Sequence, residues 1–151
     1  MASRVADHEV PAAADRVAGS QIWKVGAVAA LATAVVNVVI LLTAKAAGAE
    51  FFVPDMQGRI VEVGIVQVSL MSVVPLMLGA AAAALAARLS VSLRWVQGAA
   101  VVLTLLSFIS PLALDSPVST KLVLSAMHVV AGIAFVAGVE RVNQAAASYP
   151  H

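Results

Sequence analysis

The chain has no cysteine among its 151 residues. Disulfides, thiolate metal sites and thiol redox chemistry are thereby excluded, including that of quinone-linked thiol oxidoreductases of similar size. Charge is scarce too. Asp, Glu, Lys and Arg make up 11% of residues, against about 25% in a soluble domain, too few to clothe a soluble globule. No basic run is present, which argues against nucleic acid as a partner. Histidine occurs only as His8, His128 and His151. Of these only His128 falls in an apolar segment, so neither a haem held by two histidines of one chain nor a metal site is expected. No acidic residue falls in the middle of an apolar segment, where proton-coupled exporters place one. No cofactor is expected.

Apolar length is what the chain has in excess. Hydrophobic residues make up 62% of it and mean hydropathy is +0.99. Four runs stand out: Val25–Thr43, Val63–Ala87, Trp95–Leu114 and Leu122–Val139. Crossing a ~30 Å hydrocarbon layer takes about 20 helical residues at ~1.5 Å each, and each run is of that order. The pattern predicts an all-α protein, an antiparallel four-helix transmembrane bundle with helices near 25–44, 62–87, 94–114 and 117–140. Residues 1–22 read as a disordered cytoplasmic tail, 23–142 as the four-span membrane domain and 143–151 as a short cytoplasmic tail. A secretory signal peptide is the competing reading of the first run, since Lys24 precedes it and Ala44-Lys45-Ala46 mimics a cleavage site. The run exceeds the about 7–15 apolar residues of such signals, and Asp7, Glu9 and Asp15 make the preceding segment acidic. An uncleaved first helix is the expectation.

Local signals refine this plan. Trp23-Lys24 and Arg94-Trp95 pair an aromatic with a basic residue, as at headgroup depth. Lys45 and Gly48 close the first helix. Segment 45–62 is the longest loop, with Phe51 and Phe52 expected at the interface. Pro75 removes one hydrogen bond inside the second helix, whose end, Gly79–Ala84, is nearly bare of side chains. The short link Leu89–Leu93 predicts that the second and third helices are neighbours, with Ser90 or Ser92 capping the third. Ser116 is the expected N-cap of the fourth helix, with Pro117 following. Small residues four apart, as in Gly26/Ala30/Ala34, Gly79/Ala83/Ala87 and Ala134/Gly138, permit close helix approach.

Orientation follows from the basic residues beside the spans. Arg4, Arg16, Lys24, Arg88, Arg94 and Arg141 would share one side, and Lys45, Arg59 and Lys121 the other. Both termini are therefore expected to be cytoplasmic. Polar residues within spans are costly and thus informative. Asn37, Thr43, Gln67, Ser69, Ser107, Ser110, Ser125 and His128 map to the outer half, leaving the inner half to Ala, Val, Leu and Gly. The candidate ligand site is an outer-half cavity lined by Asn37, Gln67, Ser107, Ser110, Ser125 and His128. Arg59, Glu62 and Asp115 would stand at its mouth, Arg59 and Glu62 as a charge pair one helical turn apart. His128 is a candidate proton switch, because imidazole titrates near neutral pH in water. In the competing reading these groups only stitch the helices, at about 0.6–2 kcal/mol each, with Asn37 and His128 sharing a network. No catalytic residue is assigned. Ser125 and His128 share a helix face, but no acid stands beside them.

The order of these features resembles a family of small four-helix bacterial, largely actinobacterial, integral membrane proteins of unknown function. The matching elements are Trp23, Asn37, Ala86-Ala87-Arg88, Ser110-Pro111-Leu112 and Ala126-Met127-His128-Val129-Val130, across about residues 23–142. The resemblance implies four spans and a bacterial cytoplasmic membrane, and it implies no activity. The function expected is that of a non-enzymatic accessory subunit or a small-ligand or lipid-binding bundle. An oligomeric minimal transporter or channel is one alternative, and a membrane enzyme using the outer polar cluster is another. The partner expected is the lipid bilayer, with a homo-oligomer or a larger membrane complex also open.

Overall fold

Long Ala-, Val- and Leu-rich runs favour helix, which pairs every backbone group within its own segment. The computed structural model describes residues 10–54, 57–89, 91–112 and 116–147, and for 10–19, Leu93, Ser110 and 145–147 the backbone alone. Four helices dominate: α1 (Val10–Ala46), α2 (Ile65–Arg88), α3 (Leu93–Leu112) and α4 (Val118–Ala147). Between α1 and α2 stands a short antiparallel hairpin, β1 (Phe52–Pro54) and β2 (Ile60–Glu62), which pairs Val53 with Val61. The all-α bundle expected from the apolar runs is what forms.

Several boundaries differ from expectation. Residues 10–22, read as tail, are helical. Pro11 sits in the first turn, where a missing N–H costs nothing, and Ala12, Ala13 and Ala14 are strong helix formers. At the other end α4 runs on to Ala147, supported by Gln144 Nε2 donating to Glu140 Oε1 at 3.1 Å, one turn back. The segment 45–62 is a hairpin rather than a plain loop, so Arg59 and Glu62 do not share a helical turn. Glu62 instead pairs with Lys45 at the end of α1. Ser116 does not cap α4. Its hydroxyl donates to Phe52 O at 3.2 Å, tying the start of α4 to the hairpin. Ser92 does cap α3, its Oγ accepting from Arg94 N at 3.4 Å. Gly48 ends α1 at φ +84. Gly48 N donates to Lys45 O and Ala49 N to Ala44 O, the two bonds of a Schellman turn.

The polarity of the bundle is inverted relative to a soluble protein. Val28, Leu31, Val35, Leu70, Leu78, Leu105 and Ile133 lie outward and exposed, while Thr33, Asn37, Ser72, Thr120 and Ser125 are buried. Three helical segments are long and apolar enough to cross a membrane, namely Ser20–Ala46, Ile65–Arg88 and Val118–Gln144. The apolar stretch in α3, Arg94–Ile109, is shorter.

Packing is by small residues. A Cβ added at Gly26 would stand 2.5 Å from Ala80 Cβ, and one at Gly138 3.3 Å from Val25 Cγ1. Gly79 faces the Phe135 ring and Gly132 faces Thr104. Numbers rise along α1 as they fall along α2 and α4: Gly26 meets Ala80 and Asn37 meets Ser72, while Gly138 meets Val25 and Met127 meets Asn37. One buried cluster (Ile22, Ala83, Ala84, Val142) joins the first part of α1 to the end of α4. The other (Leu41, Phe51, Val63, Val68, Met127) seats the hairpin on the opposite end of the bundle. The second and third helices are not the close neighbours their short link suggested. The α3 helix packs chiefly on α4 and only sparsely on α2. Gln97 accounts for part of this, with its Nε2 donating to Glu140 Oε2 at 3.1 Å and to Val136 O at 3.4 Å on α4.

Candidate functional site

The gap between α2 and α3 is a cleft of about 720 Å³, within the about 300–1,000 Å³ usual for small-molecule sites. Its walls are α2 and α3 and its floor is α4, with Asn37 of α1 reaching in and Val53 and Pro54 of the hairpin at one end. Pro75 and Pro111 both line it. Pro75 lacks the amide that would pair with the carbonyl of Met71 one turn earlier, and Met71 also lines the cleft.

The cleft is graded along its length. Toward the hairpin lie Gln67, Asn37, Ser72, Ser107 and His128, with Thr104 near the middle. Away from it the lining is Gly79, Ala82, Val96, Ala99 and Phe135. Among the described residues, no Asp, Glu, Lys or Arg lines the cleft.

Four of the residues singled out by sequence, Asn37, Gln67, Ser107 and His128, are brought together here. Ser125 is not among the lining residues; it is fully buried elsewhere in α4. The side chain of Ser110 and the whole of Asp115 lie outside the described residues. Arg59 and Glu62 do not line the cleft. Asn37 and His128 share no hydrogen bond. Asn37 Nδ2 donates to Ser72 Oγ at 2.9 Å and to Met127 O at 3.4 Å, and His128 Nδ1 lies 2.8 Å from Leu124 O of its own helix.

Ser72, Thr104 and Gln97 escaped the sequence reading, and Gln97 belongs to the half expected to be bare. Ser72 lies one turn from Val68 and one from Leu76, both buried, so its periodicity marks the inward face of α2. Gln97 follows Arg94-Trp95 closely and reads as part of that interface anchor.

The hydrogen-bond pattern has one sense. Ser72 Oγ donates to Val68 O at 2.8 Å, Thr104 Oγ1 to Ala100 O at 2.8 Å and Ser107 Oγ to Thr104 O at 2.9 Å. Each hydroxyl proton is spent on the backbone, and the oxygens are left as acceptors. Leu124 O only accepts, so His128 Nδ1 carries a proton. Asn37 Oδ1 is buried and has no partner among the described residues. These hydroxyl oxygens are acceptors, while Gln67 brings an amide with both a donor and an acceptor.

The chain belongs to a family of unknown function, DUF6069, whose model matches residues 17–145. No curated protein and no solved structure matches it.

Proposed function

We propose that the protein is a non-enzymatic, lipid-binding four-span bundle of the bacterial cytoplasmic membrane. In this reading one lipid enters sideways between α2 and α3, its chain on the apolar stretch and its polar end toward the hairpin. The observation that carries it is the cleft itself, open between two helices whose outer faces are apolar and graded from Gln67 and Asn37 to Val96 and Phe135. An enzyme is disfavoured because Ser125 and His128 do not face one another across the site. The two ends of the described chain lie at one end of the bundle, where Ile22 packs with Val142. The bias of Lys and Arg supports a cytoplasmic position for that end, with the hairpin outside.

Orientation is tested by single cysteines in this cysteine-free chain. In intact cells an impermeant thiol reagent is expected to label Gln57→Cys and to leave Ser20→Cys unlabelled. The reverse pattern would invert the topology. Binding is tested by native mass spectrometry of protein purified in mild detergent. One retained lipid per chain is expected, and Ala100→Phe, which fills the cleft wall, is expected to lose most of it. Equal retention by both proteins would place the lipid elsewhere. Retention of a second protein chain in place of lipid would make the cleft a helix-docking face.

A further inference from the structure

We infer that the link between α2 and α3 binds the headgroup of one anionic phospholipid through Arg88 and Arg94, at a site separate from the cleft. Neither arginine lines the cleft. Three observations carry the inference. The first is where the two arginines stand. Arg88 ends α2, and Arg94 lies in the first turn of α3. Val91 N donates to Ala86 O at 2.9 Å, and Trp95 N donates to Ser92 O at 3.0 Å. The link is therefore two consecutive turns, with only the step from Val91 to Ser92 between them. Each turn folds the chain back on itself, which keeps the two arginines close together.

The second is that their charges are unspent. Both side chains are exposed, and neither forms an ion pair among the described residues. Glu140 is within electrostatic reach of Arg94. It already accepts from Gln97 and from Gln144, at 3.1 Å each. The first turn of α3 holds no acid, and a cation there opposes the helix dipole. The α3 helix thus gains nothing from the charge of Arg94, whereas an anion shared with Arg88 would. The guanidinium fork matches a phosphate in geometry.

The third is what surrounds the arginines. Leu89, Val91 and Trp95 are 65%, 44% and 77% exposed. Ala87 and Val96 pack against the cluster of Ile22 and Val142, so the link lies at the end of the bundle opposite the hairpin. Exposed apolar side chains and an exposed tryptophan beside arginines, at the ends of apolar helices, suit headgroup depth. A phospholipid meets both features, with its phosphate on the arginines and its chains beside Leu89 and Trp95. The bias of Lys and Arg supports the cytoplasmic leaflet for this end, the leaflet whose surface is negative.

The test uses the full-length protein in detergent, titrated with dioleoylphosphatidylglycerol or dioleoylphosphatidylcholine and read by native mass spectrometry. The two lipids share chains and phosphate and differ in net charge. Phosphatidylglycerol is expected to bind about tenfold more tightly, the order that two basic residues at a membrane surface supply. Arg88→Gln and Arg94→Gln should each lower that preference, and the double variant should abolish it. Arg141→Gln removes an exposed arginine of α4 near the same end and should leave it unchanged. Ala100→Phe, which fills the cleft wall, should also leave it unchanged. Equal binding of the two lipids to the unaltered protein would overturn the inference without touching the cleft reading. An equal loss from Arg141→Gln would replace the site by diffuse attraction to a basic surface, and so overturn it. Loss of the preference in Ala100→Phe would move the headgroup into the cleft and overturn the separate site. Displacement of the lipid by glycerol phosphate alone would overturn the claim of a lipid ligand.

Discussion

Phe51→Ala is expected to cost about 3–5 kcal/mol of stability, the range for emptying a fully buried aromatic site. Thermal unfolding of the protein in detergent measures it. Phe51 is 0% exposed. It belongs to one buried cluster with Leu41 of α1, Val63 just after β2, Val68 in the first turn of α2 and Met127 of α4. Its carbonyl accepts from Val63 N at 2.8 Å. One side chain therefore fixes the hairpin to three helices. Two further bonds hold the same junction, Thr120 Oγ1 to Glu50 O at 2.6 Å and Ser116 Oγ to Phe52 O at 3.2 Å. They anchor the backbone without filling the space the ring leaves. Phe52→Ala is the control. Its side chain is 43% exposed, so the loss is expected to stay below about 1 kcal/mol, as for surface changes generally. Equal effects of the two substitutions would show that Phe51 is not the anchor described here.

Gly26→Leu is expected to cost about 3 kcal/mol, the upper part of the usual range for overpacking. A Cβ there would stand 2.5 Å from Ala80 Cβ and 3.9 Å from its Cα. Neither neighbour can turn away, because a methyl carried directly on a backbone has no rotamer to change. Relief requires α1 and α2 to part, and that interface is the most extensive in the bundle. Gly79 differs, since its neighbour Phe135 borders the cleft and has room to move. Gly98 has nothing within 4 Å. Gly98→Ala is therefore expected to be neutral, or to gain up to about 1 kcal/mol from helix propensity. The order Gly26→Leu far below Gly98→Ala in thermal unfolding supports the close-packed seam.

The helices were legible because membrane solvation leaves so few options. An apolar run of sufficient length must be helical, and the small residues at Gly26, Ala83 and Gly138 announced where helices would meet. The hairpin was not legible. Its strands are three residues each, too short for an alternating pattern to show, and Phe51 looked like an interface aromatic because its burial depends on contacts from three distant elements. The extension of α1 to Val10 was missed for a different reason. Polar composition and Pro11 suggested a tail, yet proline is harmless in a first turn. At the site, sequence singled out Asn37, Gln67, Ser107 and His128 from the cost of polar groups in hydrocarbon. It did not reveal that they border a gap between α2 and α3. The short link Leu89–Leu93 argued for contact, whereas Gln97 and the Gly132–Thr104 contact draw α3 onto α4. Nor was the direction of the hydroxyl hydrogen bonds readable, because the destination of each hydroxyl proton depends on the backbone conformation around it.

A photoreactive diacylglycerol with a diazirine on one chain gives the most direct test of the cleft as a lipid site. Protein in vesicles containing this lipid is illuminated, digested and mapped by mass spectrometry. Adducts are expected on Leu76, Ala131 and Phe135, which line the cleft and are buried or half-buried. Adducts confined to the outward Leu31, Val35 and Leu105, in proportion to their exposure, would contradict it.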